Sequence, residues 1–329
     1  MGLKRFERIA LLFSSGAALG AYQAGATAAL LARGLRPNWI AGSEIGAINA
    51  AILAGNPSQE AAASLRRFWQ ELSSLWASRP RRRARRPLFR RFARGEGEGA
   101  FFSRANGALR ALLADALDCE RINGGSLRLV LGAHDRGTGR ERTFDNDRHR
   151  LGLDHILACL PPADLEAGSL LRAASGVAVP LSALIDAPPA DTLSFLIDGY
   201  DPIPQRTGGL SRAARDIASL KRNHELRRMI ALLGEHLEPS ARRNPDVLRC
   251  LEAASSATMT LLHLVHEEGA GELSVQMGDF SHEAVARRWQ AGESDVAASF
   301  AQPLWLQPRP PLSAAVVHEL RRGAPAPPP

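Results

Sequence analysis

The sequence predicts an α/β fold: a central, mostly parallel sheet flanked by helices, with a helical C-terminal extension. Short apolar runs without charge suit strands buried on both faces. Such runs alternate with helix-like segments over the first ~55 residues, the order that builds a parallel sheet. The 329 residues are 45 % apolar and 23 % charged, enough for one large domain with a sizeable core.

Ile9 to Phe13 reads as a buried strand, Ser14 to Gly20 as a small-residue loop, and Ala21 to Arg33 as a buried helix stopped by Gly34. Ile9 to Ala32 holds no charge and follows a basic start, but Ser14-Ser15-Gly16 interrupts it. A strand, turn and helix fit it better than a signal peptide or membrane span. Trp39 to Ala41 is the next strand and Glu44 to Ala54 the next helix. Asn56-Pro57 with Gln59 predicts a capped helix start, running to about Trp76.

Further strands are expected over Leu127–Ala133, Glu141–Phe144, Leu193–Ile197 and Thr258–His266. Helices are expected over Arg212–Leu237 and from a Ser281 cap to about Gln290. The proline-rich end predicts a tail over residues 313–329. The organisation is therefore residues 1–205 as the α/β domain, 206–312 as an extension packed on it, and 313–329 as the tail.

The net charge of +7 is local. Residues 79–94 hold 9 of the 41 basic residues and no acid, and without them the balance is −2. Residues 77–100 form an arginine- and glycine-rich insertion, expected to be mobile. Arg81, Arg82, Arg83, Arg85, Arg86, Arg90 and Arg91 would suit an anionic lipid surface, with Leu88, Phe89 and Phe92 as apolar contacts. No recognised nucleic-acid fold accompanies the run, which argues against nucleic acid. Cys119, Cys159 and Cys250 match no metal spacing and read as core thiols of a reducing compartment. No cofactor or metal site is expected, and the location is cytoplasmic, peripheral to a membrane at most.

Gly42-Ser43-Glu44-Ile45-Gly46, between a strand and a helix, has the outline of a nucleophile elbow. In such an elbow a tight turn lifts the central side chain above the sheet, and Gly42 and Gly46 leave room for the turn. The central residue should be serine, yet here it is Glu44.

Phe13-Ser14-Ser15-Gly16-Ala17-Ala18-Leu19-Gly20-Ala21-Tyr22-Gln23-Ala24-Gly25 and Ala41-Gly42-Ser43-Glu44-Ile45-Gly46-Ala47-Ile48-Asn49-Ala50 together resemble the N-terminal signature of the patatin-like phospholipase family. That family carries a triple-glycine oxyanion loop, then A-L-G-A-Y-Q-x-G, then G-T-S-I-G-A-x-N-A. Residues 121–125, 127–133 and 143–145 look like its middle segment, and 278–292 like an extension found in a bacterial subgroup.

The resemblance implies a serine–aspartate dyad of lipid acyl hydrolases, and here that dyad is degenerate. Anchoring on Pro180-Leu181 puts Arg172 at the aspartate position and Ala178 where the family has asparagine. The oxyanion loop reads Ser15, Gly16, Ala17. Arginine stays protonated and cannot act as a base. The expectation is an inactive relative that binds lipid or a partner, with Glu44 and Arg172 forming an ion pair that closes the old site. Helix and loop N–H groups should favour the Glu44 carboxylate. The alternative is an active lipid ester hydrolase using a displaced serine, with Ser43 and Asp198 (or Asp201) as stand-ins. His134, His149 and His155 show no partner spacing, and His263 and His266 fall on opposite faces of their strand.

Overall fold

A computed structural model describes residues 2–78, 106–125, 127–134, 141–160, 181–199, 212–266, 276–307, 310 and 313–321. The arginine-rich run, Arg172, Ala178, Asp201 and the final prolines lie outside the described residues.

Seven strands form one sheet: β1 (Arg8–Phe13), β2 (Trp39–Ser43), β3 (Arg128–His134), β4 (Glu141–Asp145), β5 (Thr192–Asp198), β6 (Met259–Val265) and β7 (Ala315–Arg321). The spatial order is β4-β3-β2-β1-β5-β6-β7. Only β4 runs antiparallel, against β3. The strand expectations hold to within two residues at each end, as does the fold class.

The period-2 alternation of the strands divides their side chains between two cores. Leu11, Phe13, Ile40, Leu129, Phe195 and Leu262 face one layer of helices. That layer contains α1 (Gly20–Ala32), α2 (Ile45–Ala54), α3 (Ala61–Ala77), α4 (Asn106–Ala116), α5 (Cys119–Gly124), α6 (Leu153–Ala158) and, later in the chain, α10 (His282–Ala301). Ala10, Leu12, Ala41, Val130 and Leu261 face α7 (Leu181–Asp186) and α8 (Arg212–Glu235). The short helix α9 (Pro245–Leu251) follows α8. Burial on both faces explains why β2, β5 and β6 carry no exposed residue. No helix among the described residues is long and apolar enough to cross a membrane.

Four expectations need correction. The start of the proposed tail is strand β7, whose Ala315-Val316-Val317 pairs with Met259-Thr260-Leu261 of β6. The helix capped by Ser281 does not end near Gln290 but continues to Ala301; Ser281 Oγ does accept from Ala284 N–H, at 3.3 Å. Asn56 is not a cap, because α3 begins at Ala61 after Glu60. The Asn56 amide instead donates to the carbonyls of Ile52 and Ala116 and accepts from Ser64 Oγ, tying α2 to α4 and α3. Of the three free cysteines only Cys159 is a core thiol, since Cys119 is half-buried and Cys250 exposed.

Candidate functional site at the carboxyl edge of the sheet

The chain runs outward from β1 through β2 to β3, then returns to β1's other side with β5. Strand order therefore reverses at β1, and ligands of open α/β sheets bind in the crevice at the carboxyl ends beside such a switch. The loop after β1 lies at that switch. The elbow after β2 stands on one side of it, and the end of β5 on the other.

The elbow forms as the sequence predicts. β2 ends at Ser43, α2 begins at Ile45, and Glu44 alone makes the turn with φ 53° and ψ −122°. This conformation is strained for a residue with a side chain and is the strand-to-helix context the motif requires. The turn is possible only because its flanks are glycine. A Cβ on Gly42 would sit 2.2 Å from the carbonyl oxygen of Gly46, and one on Gly46 would sit 2.5 Å from that of Ser14.

Glu44 is buried, with 3 % of its surface exposed. No described residue hydrogen bonds to its carboxyl or forms an ion pair with it, and it takes no cap bond from α2. Burial pushes its pKa up to about 8. The expected help from the helix N-terminus is thus outweighed by desolvation, and on this pKa the group is mainly neutral at pH 7. Arg172, its expected partner, lies outside the described residues.

The oxyanion loop keeps an unusual backbone despite losing glycines. Gly16 has φ 144°, and Ala17 adopts φ 53°, a left-handed conformation that costs an alanine strain. Ser15 is buried beside them. Ser14 braces the loop rather than serving chemistry: its Oγ accepts from Gly199 N–H at 3.2 Å, and its carbonyl accepts from Gln23 Nε2 at 2.7 Å.

That bond begins a buried polar network. Asn49 Nδ2 donates to the Gly20 carbonyl (2.9 Å) and to Gln23 Oε1 (3.1 Å), while Asn49 Oδ1 accepts from Trp69 Nε1 (3.0 Å). Gln23 and Asn49 are completely buried. The Gln and Asn of the two sequence motifs thus hold α1, α2 and α3 in register beneath the elbow. Asn49→Leu would strip the Trp69 N–H and Gly20 carbonyl of these partners. We expect it to lower unfolding free energy by about 3 kcal/mol in urea melts.

The stand-in residues are placed as follows. Ser43 is completely buried at the end of β2. Asp198 ends β5, and its Oδ2 lies 3.4 Å from Nε2 of His263 on β6; both side chains are at least 95 % buried. Sequence reasoning gave His263 no partner. Its pairing depends on β5 and β6 being neighbours, which spacing within either strand does not reveal. His266 stacks on Tyr22, with ring centroids 4.6 Å apart, and Tyr22 Oη donates to Asp295 Oδ2 at 2.9 Å. No group of three metal-ligating side chains occurs among the described residues.

A family model described as Patatin-like phospholipase matches residues 11–200, more than half of the chain. A second, described as Patatin phospholipase, matches residues 210–312. No curated protein matches. Two solved structures are among those similar to the chain. VipD from Legionella pneumophila shares 12 % identity, with 87 % of this chain and 67 % of that one covered and a TM-score of 0.27. The ExoU–SpcU complex from the type III secretion system of Pseudomonas aeruginosa shares 14 %, covering 88 % and 52 %, with a TM-score of 0.24. The chain thus spans about half of the latter's length.

Proposed function

This chain belongs to the patatin-like phospholipase family, and from that premise we propose that it is a member without hydrolase activity, a scaffold that binds lipid or a partner. The observation that supports this reading is the elbow tip. The position that presents a nucleophile holds Glu44, buried and with a pKa raised to about 8. A neutral carboxyl is a poor nucleophile. Its anion would form a mixed anhydride with an acyl group, itself more activated than the ester. Losing a nucleophile or its base costs orders of magnitude in rate.

A displaced serine is a poorer account. Ser43 is completely buried at the end of β2, and Asp198 lies within hydrogen-bonding distance of His263. Peripheral attachment to an anionic membrane from the cytoplasm completes the proposal, with the arginine run of residues 79–94 as one contact. The test is hydrolysis of p-nitrophenyl butyrate and of phosphatidylglycerol by purified protein. We expect product release at the buffer rate. Turnover that disappears in Ser43→Ala, with folding intact, would refute inactivity and name the replacement nucleophile.

A further inference from the structure

Six large apolar side chains are exposed among the described residues, and five of them lie on α8 and α9: Leu226, Met229, Leu232, Leu233 and Leu248. Helix α8 has two opposed faces. Leu220 is buried in the core below β1 and β2, with Ala213 and Ile217 packed beside it. Arg227 Nη2 reaches the Ile185 carbonyl of α7 at 3.2 Å on that inner side. On the opposite side Arg215, Ser219, Arg222, Leu226, Met229 and Leu233 are all exposed. Their spacings of four, three, four, three and four residues put them on one stripe.

The stripe contains two arginines and no acid. Around it, residues 212–252 carry nine basic and six acidic side chains. Glu225 is paired with Lys221 at 3.8 Å, and Asp246 lies 4.0 Å from Arg249, so two of the acids have a basic neighbour. Leu251 of α9 packs against Gly234 of α8, which brings exposed Leu248 and Arg249 beside the end of the helix.

We propose that the outer face of α8, extended by Leu248 and Arg249 of α9, docks on an anionic lipid surface. Leucine and methionine side chains would enter the acyl boundary while the arginines contact lipid phosphates, the division of labour of interfacial helices. This docking is independent of the elbow and needs no hydrolysis. It is also distinct from the arginine run, because the apolar contacts come from α8 and α9 themselves.

The test is flotation of the full chain with vesicles of phosphatidylcholine alone and of phosphatidylcholine with about 30 % phosphatidylglycerol. Wild type should float with the anionic vesicles only, and less so as salt is raised. Met229→Glu with Leu233→Glu should lower the bound fraction at least about tenfold. Both side chains are exposed, so the melting temperature should barely move; Met229→Ser with Leu233→Ser repeats the test without added charge. Arg222→Glu should weaken binding and flatten its salt dependence. Unchanged flotation of both double variants would overturn the proposal and leave the arginine run as the contact. Absence of wild-type flotation would overturn it too. A dimer in solution that the double variants split would then identify the occupant as a second copy of this chain.

Discussion

Glu44→Gln is expected to stabilise the protein by about 3 kcal/mol at pH 7 and by about 5 kcal/mol at pH 9. The buried Glu44 has its folded pKa raised to about 8 from an ordinary value of 4.5. Between those two values the folded state holds a proton that the unfolded chain has released, so folding loses stability as pH rises. The loss begins near pH 4.5, grows through pH 8 and is complete above it. Glutamine keeps the shape of the neutral acid and does not titrate. The difference between the two proteins should therefore be small at pH 4 and level off above pH 8. The gain at pH 7 is a melting-temperature rise on the order of 5 °C for a chain of this size. An Arg172 guanidinium closed on Glu44 would reverse the sign. Removing the acid would then leave a buried arginine unpaired and destabilise the fold by about 3 kcal/mol or more. Unfolding of both proteins in urea across this pH range reads the sign directly.

Gly25→Ala is expected to destabilise the fold by about 3 kcal/mol or more. A Cβ on Gly25 of α1 would lie 2.1 Å from the Trp289 carbonyl oxygen of α10, and one on Gly292 would lie 2.3 Å from that of Tyr22. The obstructing atoms are backbone, so no rotamer change relieves them and the helices must separate. Separation would disturb the Tyr22–Asp295 hydrogen bond and the buried Trp289 beside it. Gly107→Ala in α4 is the contrast, because nothing lies within 4 Å of its added methyl. It should stabilise by about 0.5 kcal/mol through helix propensity alone. Thermal melts of both variants check the pair of signs.

These two glycines also show where the sequence was legible. Strand β1, helix α1, the elbow and α2 could be read because apolar runs, a small-residue loop and a glycine-flanked turn follow one another without ambiguity. Gly292, by contrast, lies two residues beyond Gln290, where the expected helix ends. It is a point of backbone contact inside α10, and a missing Cβ gives the same signal at a helix stop and at such a contact. Asn56-Pro57 looked like a cap, but the asparagine's hydrogen bonds go to other helices. β7 was hidden because its Val-Val core is flanked by proline-rich sequence, and its pairing with β6 is a long-range fact. The Asp198–His263 pair was hidden for the same reason. The identity of the elbow tip needed no structure. Its burial and raised pKa did, because both depend on what packs around it.

Inactivity at the elbow is tested most directly by labelling the purified protein with a serine-directed fluorophosphonate and reading the intact mass. We expect no adduct, because the elbow tip is a carboxyl and Ser43 is sealed in β2. A stoichiometric adduct that peptide mapping places on a single serine would contradict this reading and identify the working nucleophile.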